Sequence, residues 1–161
     1  MAENGFDTFY AAQFRRLTSQ LCAYLGDVAE AQDVVQEAFA RAWQRWPSVR
    51  DHPDPQAWLR LTATRIAVSW WRRRRSRSTA YRLHGPPDPV AEPDPIVLDL
   101  VAAMGRLPPE QRVTLTLHYL AGLPITAIAG ELGVAVGTVK ARLSRGRTAL
   151  GALMKVETAD A

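Results

Sequence analysis

A cluster of prolines divides this 161-residue chain into two parts. Five of its eleven prolines fall within ten residues, at positions 86, 87, 89, 93 and 95. Proline lacks a backbone N–H and its ring clashes with the preceding helical turn, so this stretch cannot be helical. Apolar periodicity is also weak from Ser76 to Pro95. We therefore predict a flexible, extended linker over residues 76–95 with a helical region on each side.

The half before the linker has apolar residues at helical spacing. Its clearest pattern is a continuous apolar stripe from Ala31 to Trp46, opposite a face of mixed charge. Pro47 is expected to end this helix, and Ser48–Pro55 to form a loop. A third helix is expected from about Gln56 to Arg74. The first helix is indicated by apolar residues three and four positions apart: Tyr10, Phe14, Leu17, Leu21 and Leu25.

The half after the linker predicts four short helices. Pro108 ends the first of them, and Pro109 is well placed at the start of the second. Gly122 closes the second helix, and Gly133 caps the third. The fourth begins near Val136. The fold class is therefore all-α, with two small helical domains.

The last two helices have the spacing of a helix-turn-helix. Apolar residues on both sides of Gly133 form a small core, and Lys140, Ala141, Ser144 and Arg145 face outward. The sequence has no acidic residue between Glu131 and Glu157. A recognition helix needs this arrangement, because apolar residues hold it while basic and small polar residues face the DNA major groove. The alternative is an ordinary solvated helix pair.

A second basic feature is the arginine run from Arg72 to Arg75, which directly follows Trp70 and Trp71. Basic side chains beside aromatic rings suit DNA phosphates and unstacked bases. The alternative is a solvated run that offsets the dipole at a helix end. Core packing explains the two tryptophans at least as well as base contact does.

Other sequence features narrow the class of protein. The net charge is +4, which suits a polyanionic partner. The single Cys22 allows no internal disulfide, and the three histidines are far apart, so no metal site is expected. The polar start from Met1 to Asp7 gives no leader, and no apolar run reaches the roughly 18 residues of a membrane span. We expect a cytoplasmic protein without a cofactor or catalytic residues.

Three stretches resemble the extracytoplasmic-function (ECF) sigma factors of the sigma-70 family, over nearly all of Phe6 to Leu153. The conserved helix of sigma domain two resembles AEAQDVVQEAFARAWQRW, which begins at residue 29. The actinobacterial sigma-E sub-group resembles SWWRRRR, at Ser69–Arg75. Sigma domain four resembles LPPEQRVTLTLHYLAGLPITAIAGELGVAVGTVKARLSRGR, from residue 107.

The resemblance implies a division into domain two over residues 6–75, with three main helices, the linker over 76–95, and domain four over 96–155, with four helices including the helix-turn-helix. It also implies two polymerase contacts, to the clamp of the β′ subunit and to the β flap. The residues that match the clamp-binding helix are Asp33, Gln36, Glu37, Phe39 and Trp43.

The resemblance further implies two DNA contacts. The loop Ser48–Gln56 matches the one that captures a flipped base of the minus-ten element. The residues implied at this element are Arg50, Asp51, His52, Arg65, Arg72, Arg73 and Arg74. The face that reads the minus-thirty-five element matches Lys140, Ala141, Ser144 and Arg145, with Thr138 and Arg142 near phosphates.

The chain departs from the family pattern at several positions. Arg65 stands where the family often has Asn, Ser69 where it often has Asp, Ala141 where Ser is common, and Gly146 where Ala is common. These departures leave the recognised promoter sequence open. A glycine within a helix also costs about 1 kcal/mol relative to alanine.

The expected function is that of a promoter-specificity subunit, with core RNA polymerase and promoter DNA as partners. The family also implies an inhibitory anti-sigma protein. The main alternative is an autonomous repressor or activator that binds DNA without polymerase, and a second is a purely protein-binding adaptor. No nucleophile–base pair or glycine-rich phosphate loop supports an enzyme.

Overall fold

The computed structural model describes residues 5–76 and 95–159, with side chains for all of these except 74–76, 97 and 156–159. Most of the expected linker therefore lies outside the described residues. The described residues form helices and no strands, as expected for an all-α fold. The helices are α1 (Phe6–Leu25), α2 (Val28–Gln44), α3 (Trp46–Arg50), α4 (Pro55–Ser76), α5 (Pro95–Arg106), α6 (Pro109–Leu115), α7 (Ile125–Leu132) and α8 (Val136–Ala159). A π-helical turn, Thr116–Leu120, continues α6.

The break between α1 and α2 follows from two adjacent residues. Gly26 has φ 74°, a left-handed conformation that glycine adopts without steric cost, and its N–H donates to the Cys22 carbonyl. Asp27 then caps α2, since its carboxylate accepts from the Glu30 N–H at 2.9 Å. This pair satisfies one free carbonyl of α1 and one free amide of α2.

The segment after α2 differs from the expectation. Pro47 was expected only to end the helix, but it lies in the first turn of α3. Proline is tolerated there because that turn has no N–H partner to lose. The predicted loop Ser48–Pro55 is therefore wrong at both ends. Helix α3 runs to Arg50, and α4 already begins at Pro55.

The first core lies where α1, α2 and α4 pack together. Val34, Val35 and Ala38, from the stripe on α2, are fully buried. Leu21 of α1 and Leu59 of α4 meet them. The amphipathic pattern of α2 thus predicted its buried face correctly.

The second core lies among α5 to α8. Its buried residues include Met104, Leu117, Ile128 and Leu143. Helix α8 has 24 residues; it begins at Val136 as expected and continues past Leu153, the last apolar residue that the sequence placed on it. It crosses α6 closely at Gly146, where an added Cβ would lie 3.1 Å from Leu115 Cδ1.

The two halves also pack directly against each other, which the sequence did not predict. Helix α1 contacts α5, and α4 contacts the π-helical turn. Leu120 joins the first core and Val68 joins the second. Trp70 packs against the first core and Trp71 against the second, both half-buried. Core packing is therefore the structural role of both tryptophans here.

Candidate nucleic-acid and polymerase interfaces

The helix-turn-helix forms as the sequence predicts. Gly133 has φ 65° and its N–H donates to the Ala129 carbonyl, which also accepts from Val134 N at 3.1 Å. This is the left-handed helix end that only glycine adopts without strain. Val139 and Leu143 of α8 are buried against the neighbouring helices. The outward side of α8 is thereby held in a fixed orientation.

The outward side of α8 carries the residues predicted for the minus-thirty-five element. Lys140, Ser144 and Arg145 are exposed, and Ala141 is half-buried. They lie one, three and four residues apart, so they share one face of the helix. We call this set, Lys140, Ala141, Ser144 and Arg145, the recognition face.

Gly146 does not belong to the recognition face. It is buried and faces α6, where a methyl group would lie 3.1 Å from Leu115 Cδ1, closer than an ordinary contact. Its departure from the family's alanine is therefore explained by helix packing. The expectation that it leaves the DNA sequence open is wrong for this residue, whereas Ala141 does border the recognition face.

The two predicted phosphate contacts flank the recognition face. Thr138 and Arg142 are both half-buried. Arg142 also lines a cavity of about 420 Å³ together with Trp71 and Arg72 of α4. In this arrangement one edge of α8 therefore faces the other half of the chain.

The predicted flipped-base loop is exposed and internally hydrogen-bonded. His52 Nδ1 accepts from the Asp54 N–H at 3.0 Å, and Asp54 Oδ1 accepts from the Ala57 N–H at 3.0 Å. Arg50 and Asp51 form an exposed ion pair at 3.1 Å. The Asp54 bond caps α4 and fixes where the loop ends. The loop thus presents Arg50, Asp51 and His52 to solvent.

A basic cavity lies between the C-terminal end of α2 and α4. Its volume is about 420 Å³. Sequence reasoning found only one of its residues, Arg65. The other lining residues follow a simple helical spacing. Arg41, Gln44 and Arg45 lie within about one turn at the C-terminal end of α2, and Trp58, Thr62 and Arg65 lie four and three residues apart on α4. The cavity is lined by Arg41, Gln44, Arg45, Trp58, Thr62 and Arg65.

The arginines predicted near melted DNA are only partly brought together. Arg65 and Arg72 both reach Glu131 of α7: the Arg65 guanidinium lies 2.8 Å from the carboxylate, and Arg72 donates to the backbone carbonyl. Arg73 turns back to Ser69 Oγ at 3.1 Å. The side chain of Arg74 lies outside the described residues.

The residues predicted for the polymerase clamp lie on α2. Asp33, Gln36, Glu37 and Trp43 share one side of the helix, and we call this set the clamp face. Trp43 is 48% exposed, although its ring also meets Phe6 with centroids 4.9 Å apart. Glu37 is held by Arg41, one turn further along, at 2.5 Å.

Phe39 does not fit the expectation of a direct polymerase contact. It is only 2% exposed and packs edge-on against Phe6 and Phe9. Its ring also lies 4.6 Å from that of Tyr10. We therefore assign Phe39 to the core that supports the clamp face.

Two half-buried groups have shifted pKa values. Burial raises the pKa of the Cys22 thiol, which makes it a poor nucleophile. Burial, and secondarily the nearby Tyr119, raises the pKa of Tyr24.

In the part of the chain that the structure describes, no three His, Cys, Asp or Glu residues are grouped for a metal, and none of the helices combines the length and hydropathy of a membrane span.

Comparisons with known proteins match both halves. The model of sigma-70 region 2 matches residues 9–77, and that of sigma-70 region 4 matches residues 98–150. ECF RNA polymerase sigma factor SigL of Mycobacterium tuberculosis is 37% identical over 126 residues, which are 73% of this chain and 71% of SigL. RNA polymerase sigma-E factor of Streptomyces antibioticus is 30% identical over 145 residues, 84% of this chain and 76% of that factor. The chain spans only 36% of the length of RfaY, a probable sigma factor of Xanthomonas campestris that is 31% identical over 81% of this chain.

Solved structures agree in fold. RpoE of Bartonella quintana, in complex with the anti-sigma factor NepR, superposes with a TM-score of 0.61 at 24% identity, covering 94% of this chain and 97% of that one. The ECF sigma factor SigJ of Mycobacterium tuberculosis superposes with a TM-score of 0.57 at 30% identity, covering 89% of this chain and 53% of that one. With both sigma regions present, and with SigL and the Streptomyces sigma-E factor each matched over more than two thirds of their length, this chain belongs to the extracytoplasmic-function sigma factors of the sigma-70 family, the promoter-recognising subunits of RNA polymerase.

Proposed function

We propose that this chain directs core RNA polymerase to promoters by reading the minus-thirty-five element with α8 and the minus-ten element with the α3–α4 loop and α4. The recognition face is the observation that carries this proposal. It combines exposed Lys140 and Arg145 with a buried scaffold in Val139 and Leu143. A major groove accepts a helix presented in this way.

At the minus-ten element, we propose that the loop and the basic cavity act together. Arg50 is exposed at the end of α3, and Asp51 and His52 are exposed on the loop. The cavity offers arginines from the end of α2 and from α4. The cavity also has Trp58 on its wall, and an aromatic ring is a stacking surface for an unpaired base. We propose that Arg65, Arg72, Arg73 and Arg74 hold the phosphates of the melted strand nearby.

For polymerase, we propose that the clamp face binds the β′ clamp and that the region-four half meets the β flap. The half-exposed Trp43 is the expected anchor of the clamp face, because buried tryptophans often dominate interface energies. The chain then contributes binding and orientation, and no catalytic step. When both DNA contacts are held on one polymerase, binding at one promoter element raises the effective concentration at the other, so the two together bind more tightly than either contact alone.

We propose a cytoplasmic protein that is held inactive by an anti-sigma partner. Two solved neighbours are complexes of this kind, RpoE with NepR and CnrH with the cytosolic domain of CnrY. The proposed partner covers the clamp face in the inactive state. A pull-down from cells that recovers only polymerase subunits counts against it.

Run-off transcription with core RNA polymerase on genomic fragments tests the function. The chain should produce transcripts from defined start sites that core polymerase alone does not make. The autonomous-regulator alternative predicts the opposite behaviour: tight binding of the isolated chain to one DNA site and no association with core polymerase. That result would overturn the proposal.

A further inference from the structure

A tyrosine of the π-helical turn holds an arginine of α8 beside the recognition face. Nη1 of Arg147 donates to the hydroxyl oxygen of Tyr119 at 3.1 Å. Tyr119 is 52% exposed, and Arg147 is exposed as well. The two side chains are 28 residues apart in sequence and belong to neither core, so burial does not explain why they meet.

Tyr119 is fixed in place by its own segment. The Ala121 N–H donates to the Thr116 carbonyl, five residues back, at 3.2 Å, as in a π-helix. Turns of this kind are rare and occur frequently at functional sites. The ring of His118 meets that of Tyr119 edge-on with centroids 4.8 Å apart, and its Nδ1 donates to the Leu123 carbonyl at 3.1 Å. The phenol therefore has a braced orientation.

Arg147 extends one line of the recognition face. It lies seven residues after Lys140 and three after Ser144. A helix drifts by only about 20° over seven residues, so Arg147 lies almost directly beyond Lys140, roughly 10 Å further along the axis. Arg142 lies five residues before Arg147, which at about 100° per residue places it roughly 140° away around the helix. The two arginines therefore lie on different flanks of the recognition face.

A DNA major groove has a phosphate wall on each side. The groove is about 12 Å wide, and a helix with its side chains is about 10–12 Å across. Residues at the centre of an inserted face therefore meet base edges, whereas residues on its flanks meet phosphates. Thr138 and Arg142 are the phosphate contacts expected on one flank. Arg147 lies on the flank that faces the other wall.

We propose that Arg147 binds a backbone phosphate of the minus-thirty-five element on the flank away from Arg142, and that Tyr119 is the positioning residue that directs its guanidinium there. The inference rests on the proposed function, because it takes α8 to enter the major groove at this element. A phenol suits this role, since it orients the guanidinium without neutralising it. Arg41, by contrast, is paired with the carboxylate of Glu37. Within residues 5–76 and 95–159, no carboxylate forms an ion pair with Arg147.

The pair can bind one phosphate together. Arginine has five N–H donors, and the bond to Tyr119 uses only one of them. The Tyr119 oxygen accepts that bond and still has its own O–H to donate. Hydrogen bonds from a guanidinium to a phosphate are charge-assisted and about twice as strong as neutral ones. Arg147 is thus expected to supply most of the affinity, and Tyr119 the direction.

Single-phosphate replacement in the DNA tests the contact. The probe is a promoter fragment found by run-off transcription, with one uncharged methylphosphonate at a time across the minus-thirty-five element, and fluorescence anisotropy measures its affinity for holoenzyme. At one phosphate the replacement should weaken wild-type binding about two- to tenfold. Holoenzyme with Arg147→Ala should show no further loss at that phosphate, because the interaction is already absent. Wild type should also lose about 3.5-fold more affinity than Arg147→Ala over a fourfold rise in salt, since one phosphate contact contributes about 0.9 to the slope.

Tyr119→Phe separates positioning from charge. It keeps the ring and the charge of Arg147, so the salt slope should stay at the wild-type value while affinity falls about two- to fivefold. The loss should disappear on DNA that carries the methylphosphonate at the Arg147 phosphate. Arg16→Ala is the matched control, because it removes one exposed arginine from α1 and should keep the wild-type response at every phosphate. Urea unfolding of each variant should give the wild-type midpoint, since all three side chains are exposed.

The inference is overturned if Arg147→Ala keeps the wild-type response at every phosphate, or if Tyr119→Phe binds the promoter as tightly as wild type. Weaker binding of Arg147→Ala to core polymerase with an unchanged phosphate response would also overturn it, because the pair would then belong to a protein contact. If Lys140→Ala with Arg145→Ala still lowers the salt slope in these cases, the proposed function stands and only the role of Arg147 fails. If that double variant also binds the promoter as wild type does, the proposed function fails.

Discussion

Replacing both strong cations of the recognition face is the most informative change to the DNA contact. Lys140→Ala and Arg145→Ala together lower the net charge from +4 to +2, since each removes one positive charge. Both side chains are exposed, so the folding free energy should change by no more than about 0.5 kcal/mol per site. Promoter affinity should fall far more than stability.

The magnitude follows from counterion release. Each phosphate contact adds about 0.9 to the slope of log affinity against log salt, so losing two lowers the slope by about 1.8. Over a fourfold rise in salt, wild-type holoenzyme should then lose about twelvefold more affinity than the variant. If either side chain binds a base edge instead, the variant loses about 1–3 kcal/mol at that base pair.

Fluorescence anisotropy of holoenzyme on a labelled promoter fragment, at several salt concentrations, measures both quantities. Arg15→Ala with Arg16→Ala is the matched control, because both arginines are exposed on α1 and the net charge falls equally. Equal salt slopes for the two double variants would show that general charge, and not the recognition face, governs DNA binding. That result would refute the reasoning.

Three further predictions concern packing, polymerase binding and pH. Gly151→Ala, in open space on α8, should stabilise the fold by up to about 1 kcal/mol. Gly146→Ala should stabilise it less, or destabilise it, because the new methyl group meets a leucine of α6. Urea unfolding compares the two variants, and equal gains in stability would contradict the packing at Gly146. Trp43→Ala should weaken binding to core polymerase by about 2 kcal/mol or more, whereas Val28→Ala, at another partly exposed position of α2, should leave it unchanged. Surface plasmon resonance measures both affinities. If the two variants bind core polymerase equally well, Trp43 is not an anchor. The pKa of Tyr24 in the folded chain is raised above its unfolded value near 10. Its contribution to the free energy of unfolding is therefore fully present below that pH and is lost as pH rises through the folded pKa. Unfolding measured between about pH 8 and 11 should therefore show a smaller alkaline loss of stability in Tyr24→Phe.

Features with a local cause were predictable from the sequence. The helix-turn-helix depends on Gly133 and on apolar residues within one or two turns of it, so periodicity located it correctly. The buried face of α2 followed from the same kind of pattern. The start of α2 has an equally local cause, since the Asp27 cap bonds to a residue only three positions away.

Features that depend on distant contacts were not predictable. Arg65 and Glu131 are 66 residues apart, and no periodicity links them. Phe39 was assigned to an interface because the family pattern places it on the clamp helix, but aromatic rings of α1 cover it. The packing of Gly146 depends on the crossing of α6 and α8, which the sequence does not show.

Two separate surfaces of this chain are proposed to read one promoter at two places. Photo-crosslinkers at Ser144 on α8 and at His52 in the α3–α4 loop test it directly in holoenzyme on a single promoter fragment. Two crosslinks are expected, separated by about 25 base pairs, or roughly 85 Å of duplex, and neither should form without core polymerase. Crosslinks to the same few base pairs, or equally strong crosslinks from the free chain, would contradict it.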